Sequence, residues 1–144
     1  MGVAAIFSFL LIVSCAMIHY AALHLIYDSL PNIRFIPRTA KVPVAVLGAI
    51  ISHAVQIVLF GASFYILRDH FGLGSFGGEF RDAFTSFLYF SAETYTSLGF
   101  GDIFPLGQLR MLTGVEALTG LLMISWTASF TYLEMSRFWK QHES

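Results

Sequence analysis

The sequence predicts an all-α membrane protein in which three helices cross the bilayer and a fourth, shorter helix enters it and turns back. Three observations carry this expectation. The chain has 144 residues, 56% hydrophobic and only 12% charged, about half the charge of a soluble domain. That charge is kept out of three long runs: Val3 to Tyr27 and Val42 to Leu67 hold no Asp, Glu, Lys or Arg, and Met111 to Leu133 holds Glu116 alone. Each run exceeds the roughly 20 residues a helix needs to cross about 30 Å of hydrocarbon. Between the second and third runs, residues 82–95 contain a charge-free stretch of about ten residues, enough for half a crossing.

The first element, 1–28, is read as a transmembrane helix rather than a signal peptide: it lacks a basic leading segment, its apolar run is long, and no small-residue cleavage site follows. Its Cys15 is the single cysteine, so neither an intrachain disulfide nor a thiolate metal cluster is available. Residues 29–41 form a basic loop with Arg34, Arg38 and Lys41 and no acid. Pro31, Pro37 and Pro43 are expected to break helix there. Ile33, Phe35 and Ile36 alternate with basic residues, as in an interfacial segment or an ordinary charged loop. The second span is 42–67. Residues 68–81, with Gly72, Gly74, Gly77 and Gly78, predict a flexible exposed connection. The half-length helix 82–95 follows, with Asp82 as its cap and Phe84, Phe87, Leu88 and Ser91 on one face. Pro105-Leu106-Gly107 then leads into the last helix, 108–140.

Lys and Arg set the orientation. The loop at 29–41 and the tail with Arg137 and Lys140 are basic, whereas 68–110 carries Arg68, Arg81 and Arg110 against Asp69, Glu79, Asp82, Glu93 and Asp102. The N-terminus is therefore expected outside and the C-terminus in the cytoplasm. A net charge of −1 gives no basic surface for nucleic acid. No nucleophile–base set, metal-ligand spacing or phosphate loop is present, which argues against an enzyme.

The short helix is followed by Gly99-Phe100-Gly101, irregular backbone at membrane depth, which is tolerated only where protein buries it or water lines it. The stretch Glu93-Thr94-Tyr95-Thr96-Ser97-Leu98-Gly99-Phe100-Gly101-Asp102 resembles the pore signature of the potassium channel superfamily, Thr-X-X-Thr-Val-Gly-Tyr-Gly-Asp. It is especially similar to the prokaryotic two-transmembrane "ion channel" type and to two-pore-domain channels. The resemblance runs from about Val42 to Lys140 and leaves the first helix outside. It implies an outer helix 42–67, a turret 68–81, a re-entrant pore helix 82–95, a filter 96–102 and an inner helix 108–140, assembled as a homotetramer in a lipid bilayer, expected to be a prokaryotic inner membrane. It further implies K+ as the cargo, bound by carbonyls of Thr96 or Ser97, Leu98, Gly99 and Phe100, with the Ser97 hydroxyl innermost and Gly101 turning the chain outward; no organic cofactor or other small-molecule substrate is implied. Such carbonyls face one axis only if alternate residues take unusual dihedrals, which glycine permits. Ser97, Leu98 and Phe100 depart from the family's Thr, Val and Tyr; Ser keeps the hydroxyl but loses a stiffening methyl. Two alternatives stand beside potassium selectivity: a weakly selective cation channel, and a non-conducting subunit that keeps the fold.

Glu93 and Asp102 are expected to meet behind the filter, positions where certain family members have a Glu–Asp pair; two carboxylates so placed are expected to share a proton, with two independent water-exposed carboxylates as the alternative. Glu116 either bonds the back of the loop or draws cations into a cavity. With it, Thr119, Met123 and Thr127 form a stripe that either lines that cavity or packs between helices. Gly120, then Gly114, is the candidate hinge. Trp126 and Trp139 read as packing or interface anchors. His19, His24 and His53 lie in apolar spans and are read first as hydrogen-bonded structural residues, with titration as the alternative. No span repeats Arg or Lys every third residue, so no voltage sensor is expected. The eight residues after Ser136 are too few for a ligand-binding regulatory domain, so gating is expected from the membrane domain, lipid, protons, tension or a partner.

Overall fold

The structure, a computed structural model, describes residues 2–139; Lys140 and the side chain of Trp139 lie outside the described residues. Four helices and one small sheet follow in order: α1 Gly2–Ser29, a 3-10 turn Leu30–Asn32, α2 Arg38–Asp69, β1 Gly74–Gly78, α3 Phe84–Tyr95, β2 Ile103–Gly107 and α4 Leu109–Trp139. α1, α2 and α4 are long and apolar enough to cross a membrane, and α3 is a short helix among them. The chain is thus an all-α integral membrane protein.

α1 buries Ala4, Ser8, Leu11, Cys15, His19 and Leu23, a spacing of three and four residues that marks one helical face. That face packs on α2 and α4. The opposite face leaves Ile6, Phe9, Leu10, Met17 and Leu25 exposed, apolar surface suited to lipid. α2 repeats the pattern with Ala45, Ala49, Ser52, Gln56, Phe60 and Phe64. It starts earlier than expected, at Arg38, because Pro37 supplies an extended N-cap (ψ 149°). Pro43 is carried inside the second turn instead of breaking helix, where the missing N–H disturbs only the helix end. The basic loop is held down by Lys41 Nζ, which donates to the Pro31 carbonyl (2.9 Å). Ile36 packs beside Leu30, Ala45 and Phe138, while Phe35 stays exposed.

The largest departure from expectation lies in 68–81. Instead of a flexible connection, Gly74–Gly78 forms a strand paired antiparallel to β2, with Gly74 opposite Gly107 and Gly78 opposite Ile103. Glycine is required for this approach: a Cβ on Gly74 would strike the Leu106 carbonyl oxygen. Phe76 anchors the strand by packing its ring against Phe64, Phe80, Phe87 and Phe90.

Candidate functional site: the loop between α3 and β2

α3 carries the site, and its start differs from expectation. Ala83 is the N-cap and no side chain caps the helix; Asp82 instead receives Arg68 Nη2 (2.5 Å). Arg68 also pairs with Asp69 and lies over the rings of Phe80 and Phe87. Arg68, held over two rings, takes the exposed Asp82 carboxylate as an ion-pair partner. α3 then buries Phe87, Phe90, Ser91, Glu93, Thr94 and Tyr95 and stops at Thr96, whose hydroxyl folds back on the Ala92 carbonyl (2.8 Å).

Beyond Thr96 the backbone alternates. Ser97 (φ 58°), Gly99 (φ 55°) and Gly101 (φ 82°) lie in the left-handed region, separated by Leu98 and Phe100. Among the described residues, Ser97 is the one non-glycine with positive φ. It holds strain of about 1–2 kcal/mol, the usual cost for an L-residue there. What holds it is a set of amide bonds to the end of α3. Ser97 N–H donates to the Thr94 carbonyl (3.0 Å), Leu98 and Gly99 N–H to the Glu93 carbonyl (2.8 and 3.3 Å), and Phe100 N–H to Glu93 Oε2 (3.2 Å). In a trans peptide the C=O points opposite to the N–H. The carbonyls of Thr96, Ser97, Leu98 and Gly99 therefore turn away from α3, along a loop exposed from Thr96 to Gly101.

Glu93 thus supports the loop through its backbone carbonyl and its side chain. Burial raises its carboxyl above the ordinary glutamate value, the Phe100 N–H pulls the other way, and the charge of Asp102 adds to the rise. The expected shared proton between Glu93 and Asp102 gives way to separate partners. Asp102 accepts from the Tyr89 hydroxyl (3.0 Å) and from the Ile103 N–H (3.0 Å), while the Asp102 carbonyl receives the Glu79 N–H (2.8 Å). Tyr89 stood outside the sequence reading. It lies four residues before Glu93, one turn back on α3, which is the only signal the sequence offers for it.

The α4 stripe faces the protomer interior rather than an open cavity. Glu116 is fully buried and accepts from Ser91 Oγ; Thr119 and Met123 are buried, and Thr127 bonds His53 and His19. Gly120 is a contact point: a Cβ there would meet the Tyr95 carbonyl oxygen, so α4 and the end of α3 touch backbone to backbone. Gly114 has no neighbour in reach of a Cβ. The face of α4 left exposed in the protomer holds Leu118, Leu121, Leu122, Ser125 and Ser129. Two buried polar partners drew Glu116 and Thr127 inward, a pull that helical spacing alone does not encode.

Comparison with known proteins covers this part of the chain. A family model described as "Ion channel" matches residues 52–135, more than half of the chain. A curated relative, the inward rectifier potassium channel Kirbac3.1 of Paramagnetospirillum magnetotacticum, is 38% identical over 61 residues, covering 42% of this chain and 19% of that protein. The match therefore spans about a fifth of the relative's length. No solved structure matches the chain significantly. With three membrane-crossing helices, a short helix among them and the family match over their core, the chain belongs to the ion channel family and is not an enzyme.

Proposed function

We propose that the chain is one subunit of a homotetrameric, potassium-selective channel that conducts passively, with Thr96–Asp102 as its filter. The observation that carries this reading is the alternation of left-handed φ at Ser97, Gly99 and Gly101, with the amides of residues 97–100 tied to α3. A cation that sheds its water needs a cage of oxygens already in position. Carbonyls whose amide sides are anchored meet that need without rearrangement, and four such strips around an axis close the cage. One strip per chain calls for four chains. Leu98 and Phe100, exposed in a single protomer, are then covered by neighbours. The C-terminal end of α3 adds a partial negative charge beside the loop. The ion ligands of this reading are carbonyls of Thr96, Ser97, Leu98, Gly99 and Phe100, with the Ser97 hydroxyl innermost. The curated relative is itself named a potassium channel, which accords with the reading.

Arg137 donates to the Tyr27 carbonyl at the end of α1, which gathers it with the basic loop at one end of the protomer. This clustering supports an N-terminus outside and a C-terminus in the cytoplasm of a prokaryotic inner membrane. Purified protein in liposomes is expected to discharge a K+ gradient, and bi-ionic potentials to favour K+ over Na+. Equal permeabilities would point to a weakly selective cation pore, consistent with the methyl missing at Ser97. Absence of any flux overturns conduction and leaves a non-conducting subunit.

A further inference from the structure

α1 lies outside the family match, yet it is wired into the foot of the loop. Five side chains from all four helices close a ring. Gln56 Nε2 lies 3.2 Å from His19 Nδ1; His19 Nε2 lies 3.1 Å from Thr127 Oγ1; Thr127 Oγ1 lies 2.9 Å from His53 Nε2. His53 Nδ1 lies 2.9 Å from the Tyr95 hydroxyl, which lies 2.9 Å from Gln56 Oε1. His19 and Gln56 are fully buried and Tyr95 nearly so. Tyr95 immediately precedes Thr96.

Counting hydrogens fixes the direction of this ring. The Ser52 carbonyl, 3.3 Å from Gln56 Nε2, can only accept, so the amide nitrogen faces it and Oε1 faces Tyr95. Tyr95 must give its one hydrogen to Oε1, and its oxygen must accept from His53 Nδ1–H. His53 is then bare at Nε2 and accepts from the Thr127 hydroxyl. Thr127 in turn accepts from His19 Nε2–H, and His19, bare at Nδ1, accepts from Gln56, with the Ser52 hydroxyl alongside at 3.3 Å. Every member gives one hydrogen and takes one. The closure demands two neutral imidazoles in opposite tautomers, although their rings lie only 4.9 Å apart. The reverse direction fails because it would set Gln56 Oε1 against the Ser52 carbonyl.

We propose that His19 is a positioning residue for the filter: through Thr127 and His53 it holds Tyr95, tying α1 to the residue from which the filter springs, and a proton added to His19 opens the ring at Gln56. This rests on the reading of Thr96–Asp102 as a filter. A proton added at His19 Nδ1 turns that accepting nitrogen into a donor facing the Gln56 amide nitrogen, so this link must break, whereas on His53 Nε2 the Thr127 oxygen can accept from both imidazoles. The other titratable groups around the ring are Cys15 on α1, Tyr95 itself on α3 and Glu116 on α4. α2 contributes His53.

Nitrogen-15 spectroscopy of histidine-labelled protein in lipid bilayers tests the ring without any need for conduction. At neutral pH, His19 is expected as the Nε2–H tautomer and His53 as the Nδ1–H tautomer; matching tautomers or a charged imidazole overturn the proposal. The functional arm uses the K+ liposome assay. A wild-type protein that fails to conduct refutes the channel reading and leaves the tautomer result to decide the ring. In a conducting wild type, His19→Leu should lower flux on the order of tenfold, the usual scale for one lost buried bond. His19→Gln, whose amide can still donate toward Thr127, should recover most of it. On acidification, flux should fall together with the nitrogen-15 signature of His19 taking up its second proton. Equal loss in the Leu and Gln variants, or flux unchanged once His19 is charged, overturns the proposal; if His19→Leu does not assemble, the Gln variant and the tautomers still decide.

Discussion

Residues 74–78, Gly-Ser-Phe-Gly-Gly, and residues 97–101, Ser-Leu-Gly-Phe-Gly, are nearly the same in composition and behave in opposite ways. The first is a strand whose backbone is paired with β2. The second has no strand partner; its amides are taken by the end of α3 and its carbonyls turn to open space. Composition therefore does not decide which glycine-rich segment becomes a ladder and which becomes a row of free oxygens. The neighbour that claims the amides decides it. For β1 the neighbour is another strand, and for the loop it is a helix terminus with unspent carbonyls plus one carboxylate.

The largest effect should come from forcing the second segment toward the first. In the single protomer a Cβ on Gly99 meets nothing within 4 Å, but left-handed φ costs an L-residue about 1–2 kcal/mol, so Gly99→Ala strains the backbone without a clash inside the chain. If the proposed channel reading holds, K+ flux should fall by more than about tenfold while recovery of the assembled protein on native gels is unchanged, and a D-alanine at the same position should restore it. Gly77→Ala, where a Cβ meets only the Phe104 ring, should leave conduction near wild type. Similar losses in both variants would dissolve the contrast between the segments.

Next comes Gly120→Ala, which presses a methyl on the Tyr95 carbonyl; overpacking of this kind costs about 1–3 kcal/mol. A lowered melting temperature of the detergent-purified protein is expected, whereas Gly114→Ala should be neutral or slightly stabilising. An intermediate effect attaches to Glu93. Its value in the fold stands above the ordinary one, so its contribution is present at low pH and is lost as pH rises through the raised value. Thermal stability should decline on going from about pH 4 to about pH 7, and Glu93→Gln should flatten that slope. The smallest effect is Tyr89→Phe, which removes one half-exposed bond to Asp102 worth about 1 kcal/mol; filter inactivation should quicken modestly in single-channel records.

The spans were legible because charge-free runs and helical length are local properties of the chain. The loop at Thr96–Gly101 was legible for a related reason: glycine at alternate positions answers a backbone requirement that does not depend on distant partners. What escaped the sequence depends on partners far along the chain. Asp82 looks like a cap until Arg68 claims it, and whether the Glu116–Thr127 stripe lines a cavity or packs between helices stays open until Ser91, His19 and His53 draw it inward. β1 escaped because its pairing with residues 103–107 is set by glycines that permit close approach, which in sequence read as flexibility.

The backbone contact at Gly120 makes α4 a lever with its fulcrum at the foot of the loop. Below that point α4 runs from Leu121 to Trp139, a long arm of about 28 Å at 1.5 Å per residue. A small rotation at the fulcrum becomes a wide sweep at the far end while the loop end hardly moves. A methyl at the pivot would stiffen the arm and the foot of the loop together.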